Sequence, residues 1–199
     1  ENMKILVVGA TGNIGKVVLA TLSERGHEVV PASRSARVSV DIASGESIAA
    51  MFSAVGKVDG IVVASGAVPF KPLAELERED YLAGFVSKTL GQIEVVRQGM
   101  DHVASGGSIT LTSGVIAREP IATGAAAAMA NGALESFVIT AAAEAPRGIR
   151  INAVSPNVLA NSPHFHPTFP GQRPVSDEEI GRSYVLSVEG IVTGRVIAI

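Results

Sequence analysis

The nine residues Val7-Val8-Gly9-Ala10-Thr11-Gly12-Asn13-Ile14-Gly15 constrain this chain more than any other stretch. The apolar run at residues 5–8 reads as a buried strand, and it ends in glycines spaced Gly-x-x-Gly-x-x-Gly. Ile14, Val17, Val18 and Leu22 follow at helical spacing. Strand, glycine turn and helix in immediate succession are the context in which phosphate sits on a helix N-terminus. Gly9 permits the tight turn, Gly12 lets a pyrophosphate approach the backbone, and Gly15 lets helix and strand pack closely. A glycine turn without a ligand is the plainer alternative; position, flanks and spacing all argue against it.

Downstream, short apolar runs alternate with periodic segments. Strands are expected at residues 4–8, 28–32, 38–40, 60–64, 108–112, 149–154 and 193–199. Helices are expected at 13–25, 44–55, 124–145 and 176–188, with one or two more within 75–100. Gly26 ends the first helix, and Ser176-Asp177-Glu178-Glu179 opens the last with a capping box. Hydrophobic residues make up 47% of the chain but aromatics only 4%, the aliphatic composition that buried parallel strands need. The pattern predicts an α/β fold: a single Rossmann-type, doubly wound parallel sheet with helices on both faces. Right-handed crossovers give the strand order 3-2-1-4-5-6-7. One domain spans residues 3–199, with Met3 as the expected native start after Glu1-Asn2.

Charge and composition exclude several classes. The net charge is −3 and Lys and Arg are scattered, so nothing offers a nucleic-acid surface. The absence of cysteine removes disulfide and thiolate chemistry. No apolar run reaches the roughly 18 residues of a membrane span. A cytoplasmic protein acting on a small molecule, without nucleic-acid or membrane partners, is the expectation.

Ligands of such a sheet lie at the carboxyl ends of the strands. That places residues 9–15, Ser33-Arg34, residues 64–67, Ser113-Gly114 and residues 156–161 around one crevice. Arg34 stands where an adenosine ribose would lie. An acid there accepts from the 2′-hydroxyl of NAD, whereas a cation pairs with a 2′-phosphate, so the turn favours NADP(H). Asp41, followed by Ile42, either accepts from the adenine amino group or caps the helix that begins near Ser44. No cluster of metal ligands is visible; His164 and His166 alone do not make one.

The order of elements resembles the short-chain dehydrogenase/reductase family. Thr11-Gly12-Asn13-Ile14-Gly15 is similar to its glycine motif, Val40-Asp41-Ile42 to its adenine-contacting segment, and Ala64-Ser65-Gly66-Ala67 stands at its Asn-Ala-Gly. Leu111-Thr112-Ser113 resembles the strand end that carries its catalytic serine. The stretch from Ala145 to Pro156 and the closing Val192-Thr193-Gly194-Arg195-Val196-Ile197 complete the match. The resemblance implies an oxidoreductase that binds cofactor through Gly9, Thr11, Gly12, Asn13, Ile14, Gly15, Ser33, Arg34, Ser35, Asp41, Ile42, Ala64, Ser65, Gly66, Pro156 and Val158. It also implies a homo-oligomer, dimer or tetramer, with the last helix and strand in the interface.

Two departures bear on the chemistry. The family's Tyr-x-x-x-Lys pair, counted back from Pro146, falls on Ala126 and Ala130, neither of which can donate a proton. The family's helix asparagine falls on Lys88, leaving Ser113 and Lys88 as the catalytic candidates. Lys88 is either an acid or electrostatic stabiliser with a lowered pKa, or a solvated surface lysine. His164 and His166 are further donor candidates, although a loop histidine without a role is the plainer reading of each. Two functions follow: an NADP(H)-dependent oxidoreductase of a carbonyl or alcohol, or a catalytically inactive NADP(H)-binding protein of the same fold.

Overall fold

The computed structural model describes residues 1–199. Seven parallel strands form one sheet in the order β3-β2-β1-β4-β5-β6-β7, as predicted. They are β1 (Lys4–Val8), β2 (Glu28–Ser33), β3 (Val38–Ser39), β4 (Val58–Val63), β5 (Val103–Thr112), β6 (Arg150–Ser155) and β7 (Val196–Ala198). The helices are α1 (Gly15–Glu24), α2 (Gly45–Val55), α3 (Arg78–Gly84), α4 (Gly91–Gly99), α5 (Ala125–Glu144) and α6 (Asp177–Glu189).

The two sheet faces carry separate cores. Leu6, Val8, Ile61, Ile109 and Ile151 pack with α2, α4 and α5. Ile5, Val7, Val62 and Val154 pack with α1 and α6. This division is the period-2 alternation of strands buried on both sides, and it produces the doubly wound Rossmann-type architecture. α1 ends at Gly26, whose φ of +90° favours glycine. Ser176 caps α6 by accepting from the Glu179 amide at 3.2 Å.

Two sequence expectations are corrected. β5 begins at Val103 rather than at the expected residue 108, so Gly106-Gly107 lies inside it. The register shifts there, between Val58↔Val103 and Gly60↔Ser108, and a Cβ on Gly107 would sit 2.3 Å from the Asp59 carbonyl. The glycines therefore make an irregularity where two strands approach closely. The one or two helices expected within residues 75–100 are α3 and α4, with a 3-10 turn at Leu73–Glu75 before them and a π-helical turn at Phe85–Leu90 joining them. Finally, α5 is long and apolar enough to cross a membrane by length and composition alone. Its Leu134 and Val138 are fully buried in the core beside the sheet.

Candidate active site

The glycine turn is fixed by close packing. Gly9 has φ +87°, and a Cβ there would lie 2.2 Å from the Ala64 carbonyl oxygen. A Cβ on Gly15 would lie 1.8 Å from the Gly9 carbonyl oxygen. Gly12 differs: its Cβ would meet only the Gly9 carbonyl, at 3.5 Å. The amides of Asn13, Ile14 and Gly15 find no acceptor within the chain. Unpaired amides at a helix N-terminus beside an open glycine fit an anionic group such as a pyrophosphate.

A trough of about 400 Å³ runs over this turn. Gly9, Thr11 and Gly12, then Ser33, Arg34 and Ser35, then Asp41 and Ile42, and finally Ala64, Ser65 and Gly66 line it. Gly15 lies beneath the turn and shapes it without lining the trough. The Ser33 hydroxyl accepts from the amides of Ser35 and Ala36 and holds the turn. Arg34 is 80% exposed and 3.5 Å from Asp41. Asp41 does not cap α2: its Oδ1 accepts from the Ala43 amide at 3.0 Å, and Ser44 is the cap, accepting from Ser47. A three-residue offset puts Asp41 in an Asx turn outside the helix.

A second cavity, about 550 Å³, shares Gly66 and Ala67 with the trough. Asn13, Ile14, Pro156 and Val158 lie on its border, so the remaining predicted cofactor residues face this side. Its walls are apolar, with Val68, Phe70, Ile116, Ile121, Leu159 and Phe169. Its floor is polar: Lys88, Ser113 and Asn131.

Lys88 occupies the π-helical turn, a feature frequent at functional sites. Gly66, with φ +119°, permits the turn's approach, since a Cβ there would come within 2.6 Å of the Lys88 Cα. Lys88 Nζ donates to the Ser113 carbonyl oxygen at 3.3 Å. Burial lowers its pKa from 10.5 to about 8, and the charge of Glu135 opposes that fall only in part.

Ser113 is buried at the end of β5, and its hydroxyl donates to Glu135 Oε2 at 2.7 Å. The Ser155 hydroxyl donates to the same oxygen, also at 2.7 Å. Arg118 lies 3.5 Å from Glu135 Oε1 and donates to the Ser155 hydroxyl at 2.6 Å. The carboxylate thus anchors both serines and is balanced by a guanidinium. Sequence reasoning misses Glu135, although it is the sole charged residue in α5 before Glu144. It misses Asn131, one turn earlier, as well; the Oδ1 of that side chain is buried without a hydrogen-bond partner.

Two expectations are corrected here. Ala126 and Ala130 do not line the cavity; Asn131 does, and Ala127 packs against Val115 and Ile116 in its wall. The helix face is one residue on from the count made from Pro146. His164 and His166 do not line the cavity either. His164 stacks on Phe165, and His166 Nε2 bonds the Leu159 carbonyl at 2.8 Å. Both stand outside the cavity lining.

A family model described as enoyl-(acyl carrier protein) reductase matches residues 11–184. The chain belongs to the short-chain dehydrogenase/reductase family. The fold of this dehydrogenase/reductase closely follows the crystal structure of the protein lin1944 from Listeria innocua. That protein is 46% identical, with a TM-score of 0.96 over 99% of each chain. A small-chain dehydrogenase solved in complex with NADPH is 26% identical, with a TM-score of 0.88 over 100% of this chain and 97% of its own. A hydroxynaphthalene reductase-like protein, Arp2, from Metarhizium majus is 28% identical over 97% of this chain and 85% of its own.

Proposed function

We propose that this family member is an NADPH-dependent reductase of an apolar carbonyl compound, with Lys88 as the proton donor. The observation that carries the reading is Lys88 Nζ beside Ser113 on the floor of an apolar cavity that adjoins the glycine-turn trough at Gly66 and Ala67. The free amides of the turn would hold the pyrophosphate and Arg34 the 2′-phosphate. The NADPH-bound relative supports that assignment. When bound, NADPH supplies the hydride that adds to the carbonyl carbon and leaves as NADP. The chain's part is to orient the carbonyl and to deliver a proton from Lys88 to its oxygen, giving an alcohol. Lys88 then regains a proton from water. The apolar walls exclude water and keep the ammonium readily deprotonated.

A second reading, an NADPH-binding protein without turnover, is favoured by one observation: neither tyrosine reaches the cavity. Tyr184 is buried with its hydroxyl 2.6 Å from Thr112, and Tyr81 lies on α3. Exposed Leu82, Val86 and Leu90, with Met129 on α5, support a homo-oligomer built on these helices, and exposed Leu186 and Ile191 offer apolar surface at the last helix and strand as well.

Titration of cofactor fluorescence tests the cradle. NADPH is expected to bind more tightly than NADH, with the difference lost in Arg34→Ala. Equal affinities unchanged in that variant overturn the NADP assignment. A panel of ketones monitored by loss of NADPH then separates reductase from binding protein.

A further inference from the structure

The cavity floor has an unusual balance of unused hydrogen-bonding groups. The one proton of the Ser113 hydroxyl is committed to Glu135, which carries charge partnered by Arg118. Ser113 Oγ receives no hydrogen bond, so toward the cavity it can only accept. Asn131 is only 3% exposed, and its Oδ1 is a second acceptor without a donor. The soft terminal torsion of asparagine lets either end of its amide meet a ligand. Lys88 has spent one N–H on the Ser113 carbonyl and retains the others. A simple ketone satisfies the lysine and leaves both acceptors dry and unpaired, which is costly in an apolar cavity.

We propose that the cavity is built for an apolar hydroxyketone: its carbonyl oxygen at Lys88, its adjacent hydroxyl donating to Ser113 Oγ, and Asn131 completing the contact. In this arrangement Glu135 is a positioning residue that turns Ser113 into an acceptor. The inference rests on the reading of this cavity as the reduction site and adds the substrate class to it. The polar floor selects the hydroxyl, and the walls around Phe70, Ile116 and Phe169 select the hydrocarbon skeleton.

Three probes isolate the donor: benzoin, benzoin methyl ether and deoxybenzoin. All share the benzyl phenyl ketone skeleton; benzoin alone carries the hydroxyl hydrogen. With NADPH and the intact protein, kcat/KM for benzoin is expected to exceed that for each of the others by about tenfold, the worth of one hydrogen bond. The benzoin-to-ether ratio should fall toward one in Ser113→Ala, which deletes the acceptor. It should also fall in Glu135→Gln, whose amide can donate to Ser113 and free the hydroxyl proton. A ratio is insensitive to a general loss of folded protein, and NADPH binding monitors the fold of each variant. Equal values for benzoin and its ether, or a preference that survives in both variants, overturn the proposal. If none of the three is reduced, saturation-transfer NMR on the NADPH-loaded protein reads the same preference in binding. Preferential binding without turnover overturns the reductase reading and sustains the specificity; no preference, or no binding of benzoin, overturns the specificity itself.

Discussion

Lys88 concentrates the residue-scale chemistry, because its charge is set by burial rather than by a partner. Its pKa in the folded chain is about 8, below the ordinary 10.5. As a proton donor it acts while protonated, so reduction should be constant below about pH 8 and decline above it. Lys88→Met should lose turnover while still binding NADPH, and Lys88→Arg should keep the charge without the decline. A decline near pH 8 that persists in Lys88→Arg would assign it to another group. The same shift has a stability consequence. The unfolded chain holds the Lys88 proton up to 10.5 and the folded chain releases it near 8, so stability rises with pH across that window. Lys88→Met should remove the rise, as denaturant midpoints at pH 7 and 10 would show. The residue type at 88 is legible in the sequence because a lysine at that register is chemically conspicuous. Glu135 and Asn131 are not, because their meaning comes from Ser113, 22 residues from Glu135 in sequence.

At the scale of elements, local geometry is legible and helix phase is not. The glycine turn is written in adjacent residues, so the roles of Gly9, Gly12 and Gly15 follow from their spacing and flanks alone. The π-helical turn at Phe85–Leu90 leaves no comparable mark in the sequence, since the same residues would continue an ordinary helix. The displaced count along α5 has the same origin: a one-residue error rotates the face by about 100°, turning Ala130 toward the core and Asn131 toward the cavity. The loop glycine against the π-helical turn gives the element-scale prediction. Gly66→Ala meets both a left-handed φ of +119° and a contact of 2.6 Å with the Lys88 Cα. The variant should lose about 1–3 kcal/mol of stability, with a reductase activity lowered more than its NADPH binding, since Lys88 moves while the glycine turn does not. Urea unfolding beside the two assays reads this; activity and binding falling in proportion would place the effect in the trough instead.

For the whole molecule, the sheet order is readable because alternating strands and helices admit few right-handed arrangements, whereas the outer surface is not, because exposure depends on which helices meet. Two consequences follow from how the parts assemble. NADPH would bridge the carboxyl ends of β1, β2 and β4, so its binding should stabilise the entire domain. At a free concentration about 100-fold above Kd the gain is about 2.7 kcal/mol, a rise of roughly 5–10 °C in Tm for a chain of this size. Gly12→Val should abolish the rise while leaving the unliganded Tm nearly unchanged, because a side chain there meets little but the space intended for phosphate. A rise retained in Gly12→Val would remove the basis for the cofactor site. The second consequence concerns α3, the π-helical turn and α5. Leu82, Val86 and Leu90 are 47%, 45% and 44% exposed, and Met129 and Ile139 on neighbouring α5 are 41% and 57% exposed. Five large apolar side chains on adjacent helices are what a self-complementary interface leaves bare in a single chain. The same helices carry Lys88, Asn131 and Glu135, so association would stiffen the floor of the cavity. Leu82→Glu with Val86→Glu should therefore yield monomers in sedimentation velocity and lower kcat with NADPH affinity unchanged. A wild-type monomer at micromolar concentration would refute the interface, and a monomeric variant with full kcat would separate assembly from catalysis.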